Sequence, residues 1–373
     1  MHRRTFFRTG VAAGLASLTR PASVLAYEPP PIRRAGPLRL NSNENPLGLA
    51  PAARSAVIEG LTEANRYPLV AMAPLREAIA RRHGTTPGHV LLGNGSTEIL
   101  RVAVAAGTMG ATGTLIVADP TFEDVTDYAK PFPYRTVRVP LTSGFAHDLE
   151  AMREHARQAD GPAVVYLCNP NNPTATLTDC AEIESWITEA PERVFFVLDE
   201  AYFEFVDDRR YRSFDQLAVT RPNVLVVRTF SKIFGMAGLR AGYGIAHADT
   251  TARLNGYATQ ITPNHLAQVA ALASLEDPDV IARGRAANAR GRRILTDVLD
   301  ELNLEHLPSH ANFVMHHIPG DLRTYQRRMR ERGAWVGRPF PPMLSHNRVS
   351  IGLQAEMEEF AGILREFRQK GWV

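Results

Sequence analysis

Val224-Leu225-Val226-Val227-Arg228-Thr229-Phe230-Ser231-Lys232-Ile233-Phe234-Gly235, with Gly238-Leu239-Arg240 just beyond, decides how the chain is read. The four leading residues are continuously apolar. That pattern fits a strand buried on both faces, as in a parallel sheet, better than an alternating half-exposed strand. Polar groups crowd at the strand's end. A hydroxyl stands beside Lys232 and an arginine follows eight residues later, so an anion such as a phosphate would find a hydroxyl and a guanidinium there. An amine held near cations has its pKa pushed down and becomes a nucleophile toward carbonyls. A Schiff-base lysine needs that arrangement when its cofactor carries a phosphate. The plain alternative is a solvated surface lysine. Lys232 departs from it because lysines are few in the chain and this one lies between a strand and a Gly-rich turn.

Outward from this point the same pattern repeats. Apolar runs at Val90–Leu92, Thr114–Ala118, Thr136–Val139, Ala163–Leu167, Val194–Leu198 and Tyr243–Ala246 join Val224–Val227 as strand candidates. Helical patterns lie between several of them, at Leu69–His83, Thr97–Ala106, Phe122–Lys130, Leu149–Gln158 and Asp179–Glu189. Such alternation predicts an α/β fold with a mostly parallel, seven-stranded sheet covered on both faces. Ligands in such folds bind outside the carboxyl ends of the strands. A helical stretch from Pro263 to Asp300 is read as a bridge. A small α+β unit follows, with strands Asn312–His317, Ala334–Gly337 and Asn347–Gly352 and helices Leu322–Arg332 and Ala355–Lys370. The expected divisions are a signal segment (1–26), an N-terminal arm rich in proline (27–60), a large domain (61–270), and the bridging helix with a small C-terminal domain (271–373).

Composition bounds the rest. The 373 residues are 45% hydrophobic, enough for a sizeable core. The net charge of +3 misleads. Arg3, Arg4, Arg8 and Arg20 are 4 of the 42 basic residues and no acid lies in the first 26, so the remainder carries 38 basic residues against 39 acidic. No basic excess of the kind nucleic-acid binding needs is left in the body of the chain. His2-Arg3-Arg4-Thr5-Phe6-Phe7-Arg8 resembles a twin-arginine export signal, followed by a mild apolar stretch, Val11 to Leu18, and the small-residue site Val24-Leu25-Ala26. Periplasmic localisation follows if it works. The stretch is too short and too rich in Gly and Ala for stable membrane insertion. Cys168 and Cys180 give neither a disulfide framework nor a metal pattern, and the 12 histidines show no His-Glu-x-x-His spacing.

Three further motifs follow strands. Gly93-Asn94-Gly95-Ser96-Thr97-Glu98 opens a helix, either as a phosphate cradle or as an ordinary helix start capped by Ser96. Asn169-Pro170-Asn171-Asn172-Pro173-Thr174 is a rigid turn that could fix an amide donor. Asp199-Glu200-Ala201-Tyr202 puts a carboxylate after five apolar residues, costly to bury unless a cation or an N–H meets it. A protonated pyridine nitrogen is such a cation, while a helix or turn cap is the structural alternative.

In order, these pieces resemble the fold type I pyridoxal-phosphate-dependent aminotransferases. Leu40-Asn41-Ser42-Asn43-Glu44-Asn45-Pro46, Arg66-Tyr67-Pro68, Gly93-Asn94-Gly95-Ser96, Asn171-Asn172-Pro173-Thr174, Asp199-Glu200-Ala201-Tyr202 and Arg228-Thr229-Phe230-Ser231-Lys232 are similar to the histidinol-phosphate aminotransferase branch, from about Leu40 onward. The resemblance implies pyridoxal 5'-phosphate carried on Lys232, whose freed amine would shuttle the substrate proton. It implies Asp199 on the pyridine nitrogen, Asn172 and Tyr202 on the cofactor's phenolate oxygen, and Ser96, Thr97, Ser231 and Arg240 on its phosphate. Phe122 would stack on the ring, where close relatives often carry tyrosine. Tyr67 would reach the cofactor of a neighbouring subunit, implying a homodimer with shared active sites. Arg348, with Asn172 and with Arg338 as a second arginine, would bind substrate, although the segment between the arginines is shorter than in typical relatives. Ala175 stands where the family usually has glycine. The implied reaction exchanges an amino group between an amino acid or amino-alcohol phosphate and 2-oxoglutarate. Three rivals stay open: an aromatic or other L-amino-acid aminotransferase, a decarboxylase or lyase on the same scaffold, and a binding protein that has lost turnover.

Overall fold

Continuous apolar runs call for cover on both faces, and six of the seven find it; the run at Thr136–Val139 lies at a sheet edge and stays mostly open. The computed structural model describes residues 36–108 and 110–373; the signal-like segment and the start of the arm lie outside the described residues. The described chain opens with β1 (Leu38–Leu40), α1 (Pro51–Gly60) and α2 (Leu69–Arg82). The runs then become β2 (Val90–Gly93), β3 (Gly113–Asp119), β4 (Tyr134–Pro140), β5 (Ala163–Cys168), β6 (Val194–Asp199), β7 (Val224–Thr229) and β8 (Gly242–Ala246). Between them lie α3 (Ser96–Gly107), α4 (Asp124–Ala129), α5 (Leu149–Arg157), α6 (Cys180–Glu189) and α7 (Asp215–Thr220), and α8 (Ala248–Asn255) follows β8.

The strands form one sheet in the order β2-β8-β7-β6-β5-β3-β4. The pairs β3–β4, β3–β5, β5–β6 and β6–β7 are parallel, and β8 runs antiparallel to both of its neighbours. The mostly parallel sheet is therefore as expected, with one reversed strand. β5, β6, β7 and β8 are buried along their whole length, whereas edge strand β4 is mostly open. Parallel neighbours bring their carboxyl ends to one edge, and their register is tight: Cys168 faces Asp199, and Asp199 faces Val227.

The stretch from Pro263 to Asp300 is not one bridge. It is α9 (His265–Glu276) and α10 (Val280–Glu301), separated at Asp277-Pro278. Proline has no N–H for the i−4 carbonyl and clashes with the preceding turn, so α9 stops. Beyond α10 come β9 (Phe313–His317), α11 (Leu322–Glu331), β10 (Ala334–Val336), β11 (His346–Ser350) and α12 (Gln354–Gln369). β11 pairs antiparallel with β9. β1 crosses from the arm to pair with β10, so Leu38 and Leu40 belong to the second apolar core with Val298, Leu299, Phe360 and Phe367. The first core is built around the seven-stranded sheet. Among the described residues no helix is long and apolar enough to cross a membrane.

Candidate functional site

A cleft of about 280 Å³ opens at the carboxyl edge of the sheet, where the second core meets it. Its wall gathers Ser96, Thr97, Phe122, Asn172, Asp199, Tyr202, Ser231, Lys232, Arg240, Arg338 and Arg348. Tyr67 does not line it, and is 78% exposed just before α2.

One end of the cleft is built for an anion. α3 begins at Ser96, and its cap is Gly95, in the left-handed region at φ 77, with no side-chain capping bond. The capped start allowed by the sequence is thus not adopted, and the first-turn N–H groups are not consumed by a cap. A side chain at Gly95 would put its Cβ 2.4 Å from Arg240 Nη2, so only glycine lets the guanidinium lie against the helix start. Arg240, itself at φ 65, donates to Thr97 Oγ1 at 3.0 Å and to Ser231 Oγ at 3.5 Å. Glu98 points the other way. Burial works to raise its pKa, but the N–H groups of Asn94 and Thr259 and the Thr262 hydroxyl hold the carboxyl below the usual range.

The floor is acidic and buried. Asp199 is the last residue of β6, 4% exposed. Its Oδ2 accepts from the Tyr166 hydroxyl at 2.8 Å and its Oδ1 from the Ala201 N–H at 3.1 Å. Burial nevertheless pushes it up to about 6, against these two bonds and the charge of Lys232. A carboxylate held so far from water calls for a further cation. Tyr166 was not among the expected residues. It lies inside the apolar run of β5, and its only sequence signal is a phenol in an otherwise apolar strand, which must find a partner when buried.

Lys232 follows β7 in the Gly-rich turn. Its Nζ lies 3.4 Å from the Ser42 carbonyl and 5.7 Å from the centre of the Tyr202 ring. Burial first, then the Arg348 charge, pulls it down to about 8, while Asp199 opposes them. The turn is pinned to the arm: a Cβ at Gly235 would come 2.1 Å from the Gly48 carbonyl oxygen, and Asn45 Nδ2 donates to the Ile233 carbonyl at 2.7 Å.

Three loops complete the wall. The 169–174 turn is tied by Asn169, whose side chain exchanges two bonds with the Thr178 backbone, and by Asn171, which donates to Pro120 O and accepts from Thr121. That second tie also fixes the strand end that carries Phe122. α4 starts only at Asp124, so Phe122 stays outside the helix expected to include it. Asn172 Oδ1 accepts from Arg348 Nη1 at 2.6 Å, which settles which end of its amide is the donor. Arg348 also donates through Nη2 to Asn41 O at 2.7 Å, and burial lowers it to about 10. The Tyr202 hydroxyl accepts from Asn43 Nδ2 at 3.0 Å, and burial raises the phenol, keeping it protonated at neutral pH. Asn43, at φ 53, is a second residue that the sequence did not single out. Its N–H donates to Ser350 Oγ, its side-chain oxygen accepts from the same hydroxyl, and its carbonyl accepts from Asn312.

Arg228, adjacent to Thr229 in the deciding stretch, turns away from the cleft. It pairs with Glu200 at 2.7 Å and Glu204 at 2.9 Å, stacks on Phe203, and all three charges are buried. Cys168 lines the floor and donates to the Pro170 carbonyl at 3.3 Å.

Comparison with known proteins gives the same picture. Residues 35–364 match the family Aminotransferase class I and II. The chain is 37% identical over 332 residues to histidinol-phosphate aminotransferase of Moorella thermoacetica, covering 88% of this chain and 85% of that one. It superposes with a TM-score of 0.82 on histidinol-phosphate aminotransferase from Sinorhizobium meliloti, solved in complex with pyridoxal-5'-phosphate, at 25% identity over 95% of this chain and 100% of that one. A mutant aspartate aminotransferase from Thermus thermophilus shares the fold, with a TM-score of 0.74 at 23% identity over 87% of this chain and 96% of that one.

Proposed function

The chain belongs to the class I and II aminotransferase family, and from that premise we propose that its cleft moves an amino group between an amino acid or amino-alcohol phosphate and 2-oxoglutarate in two alternating half-reactions. It is a pyridoxal 5'-phosphate-dependent transaminase, histidinol-phosphate aminotransferase-like over most of its length. The cleft's donor set fits that cofactor. An uncapped helix start with Arg240, Thr97 and Ser231 suits the phosphate, and Asp199 suits a pyridinium. The single observation that carries the proposal is Lys232, an amine lowered to about 8 between these two features.

When bound, the cofactor supplies an aldehyde to capture amines and a ring that takes up the electrons left when the substrate's Cα proton departs. The chain's residues do the rest. Asp199, oriented by Tyr166 and the Ala201 N–H, would hold a carboxylate toward the ring nitrogen. Asn172 and protonated Tyr202, held from behind by Arg348 and Asn43 respectively, would donate to the ring oxygen. Lys232, free as an amine near pH 8, takes and returns the substrate proton at its Nζ. Phe122, in the cleft wall, would cover the ring. Arg348, a buried guanidinium that lysine could not replace, receives the substrate's anionic group, with Arg338 beside it.

The division into a large cofactor-binding domain, expected over residues 61–270, and a small C-terminal one, expected over 271–373, belongs to the same proposal; the two apolar cores support two units, but Ala267, Ala270 and Ala271 put α9 with the first, so the break falls after α9 rather than within it. A homodimer with shared sites belongs to that proposal too. It is supported by the exposed run Ile58, Leu61, Tyr67, Leu69 and Val70, more apolar surface than one segment leaves bare without a partner. So does twin-arginine export, supported by the sequence of the first 26 residues. Cleavage near Ala26 with recovery from the periplasm tests the last, and light scattering of the purified protein tests the dimer. The central test is chemical. Borohydride treatment of the cofactor-loaded protein should fix a pyridoxyl mass on the Lys232 peptide, and a substrate panel should convert amino acids to keto acids. A Lys232→Ala protein with unchanged transamination would end the proposal.

A further inference from the structure

Arg338, in the cleft wall, pairs with Glu123, which lies just behind that wall between the lining residues Phe122 and Asp124, Nη2 to Oε2 at 2.7 Å. Arg338 lies over the Phe340 ring, 4.3 Å from its centre, and Arg348 lies over the same ring at 4.7 Å. The two guanidinium groups share one aromatic but differ in how they are held. Arg348 is buried and bonded to Asn172 and Asn41. Arg338 is 49% exposed, its Glu123 partner is 33% exposed, and its Nη1 donates to the adjoining Pro339 carbonyl at 3.0 Å. A buried, doubly bonded arginine is fixed. A half-exposed pair is exchangeable, worth no more than about fivefold in an equilibrium constant. The neighbouring acid, Asp124, accepts from the Tyr128 hydroxyl at 3.2 Å, so Glu123 is the acid seated on Arg338.

We infer that Glu123 is a resident stand-in for a substrate anion at Arg338, and thereby sets how strongly the cleft prefers substrates that end in a negative charge. The inference rests on the aminotransferase reading. An enzyme with two alternating half-reactions must admit two different side chains to one site. With an uncharged side chain bound, Glu123 stays on Arg338, and the wall at Phe340 is aromatic and balanced in charge. With a side chain ending in carboxylate or phosphate, the substrate takes Arg338 and Glu123 turns to water. Because Glu123 is already partly exposed at the start of α4, the exchange needs no movement of the core. Both substrate types are admitted, and the anionic one is weakened by the competition rather than excluded.

The test is a binding measurement on the cofactor-loaded protein with two unreactive carboxylates, glutarate and 3-phenylpropanoate. In Glu123→Gln the ratio of their Kd values should shift about three- to fivefold toward glutarate, the full worth of the lost competitor. In an Arg338→Gln background the Glu123→Gln change should leave the ratio where it was, which separates competition for Arg338 from a general change in charge. An unmoved ratio, an equal shift in both backgrounds, or binding of neither compound overturns the inference. Amino donors added to the same samples test the parent reading separately: if no donor changes the cofactor's absorption, the aminotransferase assignment fails whatever the two Kd values do.

Discussion

Asp199→Asn should stabilise the cofactor-free protein and weaken the loaded one. Asp199 is buried and its pKa is raised from 3.8 to about 6. The sign follows from proton counting. Between pH 3.8 and about 6 the folded state holds a proton that the unfolded state has lost, so stability falls as pH rises through that window and the penalty is complete above it. A shift of this size corresponds to about 3 kcal/mol at pH 8. Asparagine removes the charge; its oxygen still accepts from the Ala201 N–H, and its Nδ2, in place of Oδ2, donates to the Tyr166 oxygen once that hydroxyl turns round. For a chain of this length the gain is about 4 °C in melting temperature at pH 8, shrinking toward zero near pH 4. With cofactor bound the order should reverse, because the ring nitrogen loses its counter-charge and the rise in melting temperature on loading becomes smaller. Calorimetry of both proteins, with and without pyridoxal phosphate, at pH 8 and at pH 5, measures all of this. If the cofactor-free variant melts below the cofactor-free parent at pH 8, Asp199 is not a carboxylate held at a cost for a cation, and the reasoning is refuted.

Three other outcomes follow from the geometry. The rate at which cofactor-free protein captures pyridoxal phosphate should rise with pH around a midpoint near 8, as Lys232 loses its proton, rather than near 10.5; Arg348→Gln, which removes the cation beside it, should move the midpoint upward in stopped-flow absorbance. Gly242→Ala places a Cβ 2.3 Å from the Ser96 nitrogen and should displace the start of α3, weakening inhibition by inorganic phosphate at least about tenfold through lost charge-assisted bonds. Arg228→Ala leaves buried Glu200 and Glu204 uncompensated and should lower unfolding free energy by about 3–5 kcal/mol in urea titrations, with the cofactor's absorption spectrum little changed in whatever folded protein remains.

What could be read from the sequence divides along a physical line. The inner strands of the large sheet were legible because burial on both faces demands an unbroken apolar run and little else does, while edge strand β4 showed only through the β-branched residues Thr136, Val137 and Val139. The cleft residues were legible as polar motifs directly after those runs, since parallel strands bring their carboxyl ends to one edge. The antiparallel course of β8 was not, because periodicity carries no direction. Tyr166 was missed for a related reason. Its sequence neighbours are core residues, and its hydroxyl meets Asp199 only through the β5–β6 register. The pairing of Glu123 with Arg338 spans more than two hundred residues, and no local pattern marks it. Arg228 shows the opposite error that a motif invites: it belongs to the same short stretch as Lys232, yet its charge is spent within the fold.

The arm behaves as a hasp. Asn43 bonds at once to a hydroxyl of the cleft floor, Tyr202, to Ser350 at the end of β11 and to Asn312 just before β9, while β1 is woven into the edge of the second core. Undocking the arm therefore opens the lysine turn, the floor and the small core together. A ligand that binds only the closed arrangement lends its binding free energy to the latch. The first segment described along the chain thus carries a thermodynamic record of whether the cleft is filled.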